Sequence, residues 1–241
     1  MLKLSILLGT VAALADIVGG FVLVRATGIQ KYLRYFVALG AGFLMATAVL
    51  EMLPESLKLD PKLAPVLVMA GYCAVHFLEH TINAHFHFGE ETHPGEFVSP
   101  KTSYSVLAGL AVHALFDGVA IGSGFALSSA LGWLIFLAIL LHKAPEGFTM
   151  ASIMLASGAS RRTALFSAVI LAATTLVGVL VIGLAPALVR FGLPVSAGVA
   201  LYVAATDLVP EVNREPGIRM ALVFFLGVAG FLTLRLLLPQ F

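Results

Sequence analysis

Charge is what this sequence has least of. Of its 241 residues, 11% are Asp, Glu, Lys or Arg and 60% are hydrophobic, whereas an ordinary soluble domain carries about 25% charged residues. A water-soluble fold of this length needs a polar skin that these residues cannot supply, so the surrounding solvent has to be lipid. The formal net charge of +1 leaves no basic field to hold nucleic acid. Cysteine is almost missing as well. Cys73 stands alone, which excludes an intramolecular disulfide and any cysteine-based zinc cluster within one chain. There is no His-Glu-x-x-His motif, and no serine stands beside a base in a nucleophile pattern.

Apolar stretches of membrane-spanning length are present in number. They fall at roughly 4–24, 33–53, 63–83, 104–127, 131–156, 163–189, 194–210 and 217–238, separated by polar or Pro/Gly-rich breaks. Lys3, the apolar run after it and Ala13-Leu14-Ala15 look like a secretory signal, but apolar sequence continues to Val24, so the segment reads as a retained first helix. One side of the membrane then holds Arg25, Lys31, Arg34, Lys101, Arg161, Arg162, Arg214 and Arg219, and the other Lys3, Lys58, Lys62, Arg190 and Arg235. This bias places both termini outside the cell membrane and the loop between helices three and four in the cytoplasm.

Helix two ends Glu51-Met52-Leu53-Pro54-Glu55 and helix seven ends Asp207-Leu208-Val209-Pro210-Glu211, the same acid-x-x-Pro-Glu pattern. Related units of three helices separated by two must have opposite topology. The expected fold is therefore an all-α membrane protein of eight transmembrane helices in one domain spanning 1–241. Its arrangement is 3+2+3, with an inverted repeat of helices 1–3 and 6–8 around helices 4 and 5.

The two central helices carry the chemistry. Helix four contains His113-Ala114-Leu115-Phe116-Asp117, and helix five contains His142-Lys143-Ala144-Pro145-Glu146. A spacing of four puts each imidazole and its carboxylate on one helix face, about 6 Å apart along the axis. All four groups fall near the middle of their spans, where ionisable side chains are costly unless paired and usually mark an ion pathway. Neutral His with ionised Asp and Glu is a nitrogen–oxygen set suited to zinc, ferrous iron and similar ions. Pro145 lacks an N–H, so the carbonyl of Leu141 loses its helical partner at the site. Lys143 either sets an ammonium beside the metal or extends to an acidic partner.

Other residues are weaker candidates. Met45 is a possible soft ligand or a core filler. Asp16, Glu51 and Asp207 could line an ion route or gate it. His76, Glu79, His80, His85, His87, Glu90, Glu91 and His93 make a metal-attracting tract around a cytoplasmic loop at about 84–102, which is equally readable as a solvated loop without a specific role.

The stretches His113-Ala-Leu-Phe-Asp117-Gly118, His142-Lys-Ala-Pro-Glu146-Gly147 and Leu201-Tyr-Val-Ala-Ala-Thr-Asp207-Leu-Val-Pro-Glu211 resemble the ZIP (Zrt/Irt-like) family of divalent metal transporters, in its prokaryotic form. The resemblance implies zinc, iron, manganese or cadmium entering the cytoplasm as transported substrate, no catalytic cofactor, and an elevator-like movement of the central helices against the repeats. Ala114, Lys143 and the absence of an acid from helix six depart from the binuclear pattern of some members. One site of His113, Asp117, His142 and Glu146 is therefore expected, with Lys143 in place of a second cation. The partners are the metal ion and the bilayer; pairing of two copies as a homodimer is left open. The rival reading is a membrane-embedded zinc hydrolase that uses the same ligands.

Overall fold

The computed structural model describes residues 2–25, 30–82, 99–214 and 217–238, and among them there is helix and no strand. We number the eight helices in chain order. α1 is Leu2–Arg25; α2 is Gln30–Thr47, continuing through a π-helical turn, Ala48–Met52, into Leu53–Leu59; α3 is Ala64–Ile82. α4 is Pro100–Leu127, α5 Ser129–Ala156 and α6 Arg161–Leu184; α7 is Val189–Tyr202, continuing through a second π-helical turn, Val203–Leu208, into Val209–Arg214; α8 is Ile218–Leu237. Seven of the eight are long and apolar enough to cross a membrane. The one outside that group is α3, whose last turns carry His76, Glu79 and His80.

Local signals set the helix ends. Ser99, Ser128 and Ser160 each accept the backbone N–H of the residue three further on, at 3.1, 3.1 and 3.2 Å, and so cap the starts of α4, α5 and α6. Gly158, with φ of 86°, turns the chain after α5. The expected sixth span ran to 189, but Pro186 ends α6 early and opens a short 3₁₀ turn. α7 begins earlier than Pro194 and runs through that proline to Arg214.

The inverted repeat is visible in the packing. α1 lies chiefly against α5 and α6, and α6 against α4 and α1; α2 lies against α8, and α3 against α7. Exchanging helices 1, 2, 3 and 4 with 6, 7, 8 and 5 maps this pattern onto itself. Each of four crossings is made by two glycines. Gly19 and Gly147 join α1 to α5, and Gly118 and Gly178 join α4 to α6; Gly42 and Gly227 join α2 to α8, and Gly71 and Gly198 join α3 to α7. A Cβ at any of the eight would overlap a backbone carbonyl of the opposite helix, so only glycine permits the approach.

The π turns are related in the same way. Leu53 donates its N–H to Ala48 O, and Val209 donates to Ala204 O. In both helices a proline follows at once, Pro54 and Pro210, and the wider turn relieves the clash of its ring with the preceding turn. The packing units do not coincide with the sequence repeats. α1, α4, α5 and α6 form one bundle and α2, α3, α7 and α8 the other, joined along α2–α5 and α4–α7.

Candidate metal centre

Among the described residues, one group of His and carboxylate side chains could hold a metal ion: His113 and Asp117 of α4 with His142 and Glu146 of α5, each offering one nitrogen or oxygen atom, all within 4.8 Å of one another. Spacing of four puts each pair on the inner face of its helix, and the repeat turns the two faces toward each other. Their exposures are 3, 5, 1 and 0%. His113 Nε2 lies 3.2 Å from Asp117 Oδ2 and 3.9 Å from Glu146 Oε2, and His142 Nε2 lies 3.3 Å from Asp117 Oδ2.

The tautomer of His142 follows from its other nitrogen. Nδ1 is 2.9 Å from the carbonyl of Ala138, which can only accept, so Nδ1 carries the proton and a neutral ring keeps the Nε2 lone pair for the centre. His113 Nδ1 and Glu146 Oε1 are buried without hydrogen-bond partners, so this polar cluster is incompletely satisfied by protein groups. The carbonyl of Leu141, deprived of a helical donor by Pro145, lies against Gly40 of α2; a Cβ there would stand 3.5 Å from it. Beside Pro145, an apolar cavity of about 150 Å³ opens between α1, α2 and α5, lined by Val18, Tyr32, Phe36, Ala144 and Phe148 among others.

Lys143 is fully buried, and its ammonium donates to Glu146 Oε2 at 2.8 Å and lies 2.9 Å from Asp117 Oδ2. Lys143 thus has acidic partners, and two of them belong to the four-residue cluster. Asp16 of α1, readable from sequence only as a mid-span acid, comes into the same centre, 3.7 Å from Lys143 Nζ.

The remaining candidates lie elsewhere. Glu51, in the π turn of α2, pairs with Arg235 of α8. Asp207, in the π turn of α7, accepts from Thr206 at 3.3 Å and lies within electrostatic reach of Glu79 of α3, which accepts the Tyr202 hydroxyl at 2.7 Å. Glu51 corresponds to Asp207 under the repeat, and Arg235 to Glu79, so the position that pairs with Glu51 in one unit is itself a carboxylate in the other. Arg235 and Tyr202 were missed as partners by the sequence reading; carrying the constant offset of the repeat from Glu51 onto α3 and α8 would have pointed to position 235. Met45 is partly buried and packs against the main hydrophobic cluster. His76 and His80 stack with ring centroids 4.1 Å apart, and His76 meets Tyr202 edge-on at 5.8 Å. His85, His87 and His93 lie outside the described residues.

A family model described as ZIP zinc transporter matches residues 90–235, which include α4 and α5. The chain belongs to the ZIP family. Relatives in this family include zinc transporter ZIP9 of Micropogonias undulatus, 29% identical over 160 residues that cover 61% of this chain and 51% of that protein. Zinc transporter ZIP4 of Homo sapiens is 33% identical over 144 residues, covering 57% of this chain and 22% of that protein. Zinc transporter SLC39A7 of Pongo abelii is 31% identical over 155 residues, covering 58% and 32%. The chain thus spans about half the length of the first of these ZIP relatives and less of the others.

Proposed function

We propose that this ZIP-family chain is a secondary transporter that carries a divalent transition-metal ion, foremost Zn²⁺, from outside the cell membrane into the cytoplasm. One ion is held by His113, Asp117, His142 and Glu146. The observation that carries the reading is the convergence of these four groups, buried and incompletely hydrogen-bonded, between two helices of a lipid-embedded fold. Such groups at membrane depth are expensive unless an ion or partner compensates them.

Charge supports one ion. With both imidazoles neutral, the centre contains three carboxylates, Asp16, Asp117 and Glu146, against the single ammonium of Lys143. One divalent cation balances the excess of two negative charges, and Lys143 occupies the place that a second cation would otherwise fill.

The centre is closed to both sides, no ligand residue being more than 5% exposed, so loading and release need a conformational change. The division into two bundles supports an elevator-like alternation in which α1, α4, α5 and α6 carry the site past α2, α3, α7 and α8. This moving unit is larger than the two central helices suggested by sequence. Because His binds metal only when deprotonated, metal binding weakens in acid.

Proteoliposomes loaded with a zinc-sensitive dye test the proposal. Uptake by the wild-type chain should fall by at least about tenfold in His142→Ala and in Glu146→Ala, as expected when a ligand of a four-ligand site is lost. Unchanged zinc flux in both variants would end the reading.

A further inference from the structure

The centre holds two charged side chains besides the four proposed ligands, Lys143 and Asp16, and Asp16 is the one without a bonded partner. Asp16 is fully buried, and neither of its carboxylate oxygens has a hydrogen-bond partner; Lys143 Nζ stands 3.7 Å away, beyond bonding distance. Burying a carboxylate in that condition is costly, and the fold itself does not require it. The repeat supplies the comparison. Under the superposition that pairs Gly19 with Gly178 and Gly147 with Gly118, Asp16 corresponds to Thr175 and Lys143 to Ala114. Thr175 satisfies itself by donating to Leu171 O at 3.1 Å, and Ala114 is simply buried. The two positions are thus filled without charge at the related crossing.

Lys143 meanwhile occupies the oxygens that the cargo needs. Its ammonium lies on Asp117 Oδ2 and Glu146 Oε2, the same two atoms that face the Nε2 nitrogens. A divalent cation bound there would sit against the ammonium, and two cations sharing two oxygens repel strongly at low dielectric. Lys143 has to withdraw while keeping a counter-charge. A movement of about 1 Å brings Nζ into hydrogen-bond range of Asp16.

We propose that Asp16 receives the Lys143 ammonium when a divalent cation takes Asp117 and Glu146, so that loading exchanges one cation for another at those oxygens and leaves no uncompensated buried charge. Asp16 is thus a positioning residue that acts through Lys143. The inference rests on the four-ligand site proposed above.

Calorimetric titration of the purified full chain with zinc tests it. Removing the Asp16 charge leaves zinc and ammonium against two carboxylates, so Asp16→Asn should weaken zinc binding by at least about tenfold. Adding Lys143→Met restores the balance of two carboxylates against zinc, and the double variant should return to within about threefold of wild type, within the scatter of independent sites. Asp16→Thr, the residue present at the related position of α6, is the second single variant and guards against a folding defect in the first. A merely structural Asp16 would give no rescue. Wild-type affinity in either folded single variant, or a double variant as weak as the single ones, would overturn the proposal. His142→Ala separates the two readings: if it binds zinc like wild type, the four-ligand site fails. If it is inactive while Asp16→Asn is unaffected, only the hand-over fails.

Discussion

Lys143 is the residue on which the chemistry turns. It lies on the inner surface of α5 between Asp117 and Glu146, with Asp16 beyond it, and so supplies a positive charge inside the centre before any metal arrives. Equilibrium dialysis of purified protein should therefore give one tightly held zinc ion per chain in the membrane site; two would refute the substitution of an ammonium for the second cation. The pair of Arg235 and Glu51 behaves differently. Arg235 is 40% exposed but Glu51 only 12%. Removing the guanidinium leaves a buried carboxylate short of its partner, which costs about 1–3 kcal/mol, so Arg235→Gln should lower the melting temperature by several degrees. An unchanged midpoint, read by thermal unfolding in detergent, would mean that Glu51 does not depend on Arg235 for its burial. All four proposed ligands were legible in the sequence, because a spacing of four and mid-span depth are local properties. The meeting of Asp16 with Lys143 was not, since periodicity gives the face a residue occupies but not the helix that faces it.

Among elements, the glycine crossings decide how close the helices come. Gly147 sits where a Cβ would overlap the Asp16 carbonyl, and Gly198 where one would overlap that of Val68. Gly147→Ala forces α1 from α5 at the centre itself, and Gly198→Ala forces α3 from α7 away from it. Overpacking of this kind costs typically 1–3 kcal/mol. Both variants should melt lower than wild type, but zinc affinity measured on the folded fraction should fall only in Gly147→Ala. Equal affinity losses would show that the centre depends on the whole assembly and not on the α1–α5 approach. The acid-x-x-Pro-Glu repeat was readable as two matching helices, and the π turns inside them were not. Their cause is the proline ring pressing on the turn before it, a steric relief that composition and spacing do not report.

For the whole molecule, the division into two four-helix bundles is the feature least visible in sequence. The repeat is written along the chain as helices 1–3 and 6–8, but α1 and α6 leave their own units to enclose α4 and α5. The sequence repeat follows chain order, and the packing does not. If the bundles move against each other, a bond across the seam should stop them. A Cβ added at Gly192 of α7 would lie 3.6 Å from Ser123 Oγ of α4 and press on the Val119 side chain, so Gly192→Cys with Ser123→Cys and Cys73→Ser sets two thiols against each other across the seam, and the crosslink is verified by thiol titration. Oxidation should abolish zinc uptake and reduction restore it; full uptake by the oxidised protein would contradict the relative movement.

The central claim is that imidazoles and carboxylates from two mid-membrane helices hold one divalent ion together. X-ray absorption at the zinc edge of the loaded, purified chain addresses it most directly. The account predicts two imidazoles with oxygen ligands and Zn–N distances of about 2.0–2.1 Å, one imidazole being lost in His113→Ala and one in His142→Ala. A zinc shell without imidazole, or one that both substitutions leave unaltered, would contradict it.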